Sequence, residues 1–335
     1  MFHRFESIAI LGYMDLLADV LTVAGVRGAA GARIEAAETW KTSWPHIGRP
    51  VFYAVTSGTA WLRVPGLEAE QLMPGDVVLL PTGSEHTLGS DVDTVPYSCD
   101  CATAEQARAQ ASVLRIGEGE IRTHILGASY EYDPVVSTQV LASLPEMVHI
   151  RADNGGTCLD DTVRLLAREL AVPQIAGAVV LNRLVDILLI QLLRVWMCRN
   201  PVQDKGSWLG VLSDPLVSVA VTKLHQDPSK PWTTDLLATE LSVSRTTLAR
   251  RFRTVAGETP GSYLTRWRMN LAAIRLRDTD DTLETIAHAV GYTSMPAFSR
   301  AFRRDRGQAP GTYRHAVRAD ATAGAEFCAQ RVAHR

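Results

Sequence analysis

Ser244-Arg-Thr-Thr-Leu-Ala-Arg-Arg-Phe-Arg253 returns 50 residues later as Ser294-Met-Pro-Ala-Phe-Ser-Arg-Ala-Phe-Arg303. The match runs on, with Gly257, Pro260, Gly261 and Tyr263 answered by Gly307, Pro310, Gly311 and Tyr313. Eight identities at one offset mark an internal duplication, and a duplication constrains architecture more than any other single feature. The serine that opens each segment can offer its hydroxyl to the open N–H groups of a helix. The arginines behind it suit one kind of chemistry, because guanidinium pairs with phosphate and with guanine. A polyanion is the partner these residue types imply.

Each copy reads as helix, tight turn, helix. In the first, Thr233 or Thr234 caps a helix carrying Leu236, Leu237, Ala238 and Leu241. Ser242-Val243 turns the chain, and Ser244 caps a second helix that buries Leu248 and Phe252, four apart on one face. Arg250 and Arg251 lie off that face. In the second copy Leu283, Ile286 and Ala287 make the first helix, Gly291 permits the positive φ of a sharp turn, and Ser294 caps a helix burying Phe298 and Phe302. Small Ala238 and Ala287 fall where the two helices of a helix-turn-helix must cross closely. The turns differ in length, with six positions from Ala238 to Ser244 and seven from Ala287 to Ser294. Between the copies, Leu264, Trp267, Leu271 and Ile274 predict one long amphipathic helix over Ser262 to Arg277. Such a rod can present both second helices to successive major grooves if they stand roughly 34 Å apart.

Charge agrees with this division. Residues 1–210 hold 16 Lys/Arg against 24 Asp/Glu, whereas residues 211–318 hold 16 against 10. A basic module joined to an acidic one meets a polyanion with one end only. The 335 residues suit two domains. With 46% hydrophobic and 21% charged residues, disorder is not the default. Val179 to Trp196 is strongly apolar but contains Asn182, Arg183, Asp186, Gln191 and Arg194, too many polar groups for a bilayer span. No signal-peptide pattern follows Met1, and five cysteines argue against a disulfide framework, so a cytoplasmic location is expected.

At this point residues 211–318 resemble the arabinose-regulator (AraC/XylS) family of transcription factors. The run Gly291-Tyr-Thr-Ser, then Phe298-Ser-Arg-Ala-Phe-Arg, then Gly307-x-x-Pro-Gly-x-Tyr313 carries the likeness. The resemblance implies that the second helix of each copy reads DNA. Carried over by position, the groove-facing residues are Thr246, Ala249 and Arg250 in the first copy, and Met295, Pro296, Ser299 and Arg300 in the second. Arg250 and Arg300 are the foremost base readers, since a guanidinium pairs bidentately with guanine. Arg245, Arg251, Arg303 and Arg304 fit phosphate contacts. The plainer reading of each is a solvated helix arginine.

Residues 34–126 read as β-rich. Val51 to Thr56 and Thr59 to Val64, joined through Ser57-Gly58, read as a hairpin; Pro74-Gly75-Asp76 reads as a turn before the strand Val77 to Leu80. Gly75-x5-Pro81-x-Gly83-x-x-His86 is similar to the second motif of cupins, small double-sheet barrels, and the N-terminal half through Pro231-Trp232 resembles the cupin-bearing branch of the same family. Cupin enzymes hold metal through paired histidines and a glutamate of the first motif. Here His46 and His86 stand without that pair, and Glu85, Cys99 and Cys101 are the remaining donors, so neither catalytic residues nor a bound metal is expected. Trp40, His46, Tyr53, Trp61 and His86 are the candidates for an effector pocket, with plain core packing as the alternative. Asp160 to Leu170 and Pro173 to Arg199 read as helices, Pro173 in the first helical position. Ile175, Val179, Leu184, Ile187, Gln191 and Val195 beside Leu188 and Leu192 make an apolar face broad enough for a dimer interface, or for packing within the chain.

The expected architecture is α+β. A cupin-like β-barrel with a helical dimerisation segment occupies residues 1–200 and a linker 201–215. An all-α domain of two helix-turn-helix units joined by a long helix occupies 216–318, and a disordered tail 319–335. The implied function is a sequence-specific transcription regulator with no cofactor. Its partners would be double-stranded promoter DNA, a small-molecule effector, a second copy of the chain and, for an activator, RNA polymerase; no membrane is involved. A metal-dependent cupin enzyme with a DNA-binding appendage and an effector-independent architectural DNA binder are the rivals.

Overall fold

The computed structural model describes residues 27–93, 113–131, 144–152, 158–172, 174–200 and 208–319, with Leu16 and Leu141. Two compact units emerge, one spanning Ala24–Val202 and the other containing Gln203–Arg335. The expected tail beyond residue 319, Pro173, Cys99 and Cys101 lie outside the described residues.

The first unit is built from β1 (Arg27–Ala36), β2 (Lys41–Trp44), β3 (Val51–Ser57), β4 (Ala60–Arg63), β5 (Glu70–Leu72), β6 (Val77–Leu80), β7 (His86–Gly89), β8 (Val113–Ile116), β9 (Thr123–Glu131) and β10 (Val148–Ile150), followed by α1 (Cys158–Ala171) and α2 (Gly177–Arg199). Two sheets face each other, one in the order β10-β6-β3-β9-β1-β8 and one in the order β2-β7-β4-β5. The expected β3–β4 hairpin does not form. β3 pairs with β6 and β9, and β4 with β5 and β7. Their burial explains the difference. Val51 to Val55 are buried without interruption, whereas Ala60 to Arg63 alternate. A strand buried on both faces belongs to a sheet with cover on each side; an alternating strand belongs to one with a solvated face. The cover behind β3 is α1, and behind β1 it is α2, whose Leu181, Val185, Leu188, Leu189 and Leu192 are buried. The Tyr130 hydroxyl donates to Val185 O (2.9 Å). Gly58, at φ +70°, takes the corner between sheets; a Cβ there would press on Arg122 O and Thr123.

The turn before β6 is fastened by one buried acid. Asp76 accepts from Met73 N (2.9 Å), Ala152 N (2.9 Å) and His149 Nε2 (3.0 Å), which ties the turn to β10. α2 begins at Gly177, later than the expected start, after Ala176 at φ 62°.

The second unit contains α3 (Trp208–Ser213), α4 (Pro215–Gln226), α5 (Thr234–Glu240), α6 (Arg245–Ala256), α7 (Pro260–Asp278), α8 (Leu283–Ala289), α9 (Met295–Arg306) and α10 over 310–319. Part of the expected linker is therefore helical. The duplicated residues make duplicated contacts. Phe252 meets the edge of Tyr263 and Phe302 that of Tyr313, at 5.8 and 5.3 Å between centroids and 75° between planes in both. Gly257 and Gly307 adopt φ 75° and 74°, and each N–H returns to the carbonyl of Arg253 or Arg303 to close the helix.

Two details differ from expectation. Ser244 accepts from Thr247 N (3.1 Å), but Ser294 makes no side-chain cap bond. Pro296 occupies the first turn of α9 and has no N–H, so one of the donors a cap would satisfy is missing. α7 buries Tyr263, Leu264 and Trp267 in its first half, then Met269, Ala272, Ala273 and Leu276, while Leu271 and Ile274 are only half-buried. One stripe describes a helix with one partner; α7 serves two helix-turn-helix units and turns a different face to each.

Candidate nucleic-acid interface

Both second helices are held by their apolar faces. Leu248 and Phe252 anchor α6; Phe298, Ala301 and Phe302 anchor α9. Helical periodicity then forces the intervening residues outward. On α6, Thr246, Arg250 and Arg253 are exposed and Ala249 is half-buried. They line a groove of about 540 Å³ with Arg245, Thr254 and Thr259. On α9, Pro296, Arg300, Arg303 and Arg304 are exposed and Ser299 is half-buried. Met295 packs partly against the core formed by Leu276, Ile286, Phe298 and their neighbours, so less of it faces outward than its position suggested.

The cations of this unit divide into two groups. Many are spent inside the fold. Arg251 Nε reaches Asp214 Oδ2 (2.5 Å), and Asp214 also caps α4 through Leu216 N (3.1 Å) and Val217 N (3.0 Å). Arg268 donates to Pro228 O (2.6 Å) and Lys230 O (2.9 Å). Arg306, with its side chain 2% exposed, pairs with Asn270 and Asp305. Glu240 receives Lys230 (2.5 Å) and Lys223 (2.9 Å), and these two hydrogen bonds hold its carboxyl below the usual range. Arg245 stands 3.4 Å from Asp235. Among the described residues, no hydrogen bond or ion pair is recorded for the side chains of Arg250, Arg253, Arg300 or Arg303. Unneutralised cations in a row on an exposed helix face are what a phosphate backbone attracts.

Arg253 was missed by the carry-over from the family pattern. The signal was present, because the 50-residue offset pairs it with Arg303. Arg251, expected at a phosphate, has its Nε committed to a buried acid, which leaves only its outer nitrogens to turn outward.

In the barrel, the structure brings together three of the five effector candidates. Trp40, Tyr53 and His86 are at most 2% exposed and belong to one interior. Both ring nitrogens of His86 are occupied: Tyr53 Oη lies 2.8 Å from Nε2 and Ser84 O lies 2.7 Å from Nδ1. The carbonyl can only accept, so Nδ1 carries a proton. Trp44 stacks on the same ring at 6.4 Å. His46 sits exposed in the loop after β2, and Trp61 lies on the face of β4 opposite buried Ala60 and Leu62. Glu85 is exposed as well. Among the described residues, no group of three or more His, Cys, Asp or Glu could hold a metal ion.

Comparison with known proteins supplies the family. Residues 15–198 match a model described as cupin, and residues 237–316 one described as a helix-turn-helix domain. A putative AraC-like transcription regulator of Streptomyces lividans is 37% identical over 90% of this chain and 98% of its own length. The chain belongs to the AraC-like transcription regulators. A second AraC-like regulator, from Streptomyces antibioticus, is also 37% identical, over 90% of this chain and 98% of its own. Among solved structures, the DNA-binding domain of AdpA in complex with a target DNA is 33% identical, covering 32% of this chain and 96% of that one, at a TM-score of 0.30. Family membership and the helix-turn-helix match over residues 237–316 make the chain a DNA-binding transcription regulator. Among the described residues, no helix is long and apolar enough to cross a membrane.

Proposed function

We propose that this regulator reads promoter DNA with the exposed faces of α6 and α9 and adjusts that reading to a small-molecule effector held by the N-terminal unit. The observation that carries the first half is the row Arg250, Arg253, Arg300 and Arg303. In a unit where many other cations are internally paired, these four on the two second helices are not. Arg250 and Arg300 act as base readers, with Thr246, Ala249, Pro296 and Ser299 beside them; Arg253, Arg303 and Arg304 meet phosphates. Arg300→Ala should weaken specific binding by about 1–3 kcal/mol and relax preference at one or two operator positions. Competition binding against bulk DNA at fixed salt reads both effects. An equal loss on every sequence would make Arg300 a phosphate contact instead.

The regulator acts as a homodimer, supported by apolar surface that its own fold leaves open. Ile175 is fully exposed, Val179 is 62% and Ile187 44% exposed, all at or on α2. Exposed apolar side chains gathered along one helix, here with Arg183 between Val179 and Ile187, suit an association surface. Val179→Glu with Ile187→Glu should turn a dimer into a monomer in sedimentation velocity while leaving the circular dichroism unchanged. A parental chain that is already monomeric with operator bound would remove the dimer. RNA polymerase is a further partner if the regulator activates.

The protein works by binding rather than catalysis. The relatives are named as regulators, and both nitrogens of the barrel histidine are engaged within the protein. A stoichiometric transition metal with turnover in the purified chain would reverse this reading.

A further inference from the structure

The barrel interior is packed, but a second opening in the same unit is not. A cleft of about 370 Å³ lies between β10, the turn before β6, and the helices α1 and α2. That volume is toward the lower end of the range for small-molecule sites. Its walls are largely apolar, with Ile150, Leu159 and Val195. Gly75 and Ala152 also line it, packed so tightly together that a Cβ on Gly75 would come within 2.7 Å of the Ala152 methyl. Three guanidinium groups, Arg151, Arg194 and Arg199, and one carboxylate, Asp160, are the charges that line it. Arg151 is tied to Glu70 (3.1 Å). Arg194 is exposed, and no hydrogen bond or ion pair of its side chain is recorded among the described residues. Arg199 has a partner of its own, so Arg194 is the cation left to meet a ligand, and an apolar trough beside an exposed guanidinium fits an organic anion with a hydrocarbon body.

The same cleft has two thiols. Cys158 opens α1, Cys198 lies one residue from the end of α2, and both are exposed. The helices are joined alongside them, the Thr162 hydroxyl donating to Gln191 Oε1 (2.8 Å). Arg194, Val195, Cys198 and Arg199 form the last two turns of α2, and the N-terminal unit ends at Val202. A ligand here presses on the final helix before the chain enters the DNA-binding unit.

We propose that this cleft, outside the barrel, is the effector site and that it takes a small amphipathic carboxylate whose anionic head pairs with Arg194. The proposal deepens the effector-responsive reading above and rests on it. The native thiols report occupancy directly. The full-length protein is treated with iodoacetamide, with and without octanoate or benzoate, and with octylamine as a cationic control. Peptide mass spectrometry follows each cysteine, Cys99, Cys101 and Cys328 serving as references.

Either carboxylate should slow alkylation of both Cys158 and Cys198 by about tenfold at ten times its dissociation constant, and octylamine should not. Arg194→Glu should weaken that protection about tenfold or more with an unchanged melting temperature, and Arg194→Lys should restore part of it. Failure of both carboxylates to protect the two thiols overturns the proposal, as does equal slowing of all five. A carboxylate that raises the melting temperature without protecting them places the effector elsewhere, which overturns the cleft but leaves the effector-responsive reading intact. Protection with no change in operator affinity confirms the cleft as a site and removes its regulatory role.

Discussion

Phe302→Ala should cost about 3–5 kcal/mol of stability in the second helix-turn-helix and abolish operator binding without removing any group that faces DNA. The side chain is fully buried. It tilts against Phe298 (5.8 Å) and receives the edge of Tyr313 (5.3 Å). Alanine leaves a void that the short helices around it cannot close, because each is held by only a few buried residues. α8 has Ile286 and Ala287; α9 has Phe298, Ala301 and Phe302. Hydrogen exchange of the full chain should show α8 and α9 amides exchanging at least about a hundredfold faster, with the barrel strands unaffected. Phe302→Leu should keep most of the protection. Unchanged exchange in α9 after Phe302→Ala would mean that the recognition helix is held by something other than this aromatic cluster. Phe252→Ala should do the same to the first unit, since it meets Tyr263 in matching geometry.

Gly291→Ala is the second large effect, expected at about 3 kcal/mol. Gly291 turns the chain between α8 and α9 at φ +83°. The left-handed conformation alone costs an L-residue about 1–2 kcal/mol. A Cβ would also lie 2.7 Å from Ser229 O, 2.8 Å from Arg268 Nη2 and 2.9 Å from Ser229 Cα. Overpacking against backbone adds about 1–3 kcal/mol. Those neighbours matter because Arg268, midway along α7, also holds the carbonyls of Pro228 and Lys230. The second turn, the connecting helix and the segment leading into α5 therefore meet at one glycine. Loss of fit should lower the melting temperature of the helical unit and loosen residues 227–231 as well as α8 in hydrogen exchange. The corresponding turn of the first unit provides the contrast. Ser242 sits at φ 56° and is exposed. Ser242→Gly should leave stability within about 1 kcal/mol of the parent, because relief of the left-handed strain offsets the greater freedom of glycine in the unfolded chain. Comparable losses at both positions would refute the role assigned to the Ser229 contact.

Much of the DNA-binding half was legible in advance. Thr233, Ser244 and Gly291 are read by local geometry: a cap needs a hydroxyl, and a left-handed turn favours glycine. Each acts within a few residues of itself, so sequence order preserves the signal. The differences have another origin. A turn between two strands suggests a β3–β4 hairpin, but the partner of a strand is decided by what covers its faces. The stripe Leu264, Trp267, Leu271 and Ile274 shows which face of α7 is apolar and not how many neighbours it serves, so Leu271 and Ile274 end half-buried. Position places Arg251 at a phosphate, and only the fold shows that Asp214, 37 residues earlier, takes its Nε and leaves the outer nitrogens.

The amino-acid order alone determined a two-part chain with a duplicated helix-turn-helix and one basic end, because the repeat, the caps and the charge contrast are written along the chain; the AraC-type reading came from the resemblance of the run Gly291 to Tyr313. Only the tertiary structure decided which arginines remain unpaired, that Trp40, Tyr53 and His86 fill the barrel, and that Cys158 and Cys198 share a cleft. Those outcomes depend on groups far apart in sequence competing for the same partner or the same space, and no local spacing encodes the winner.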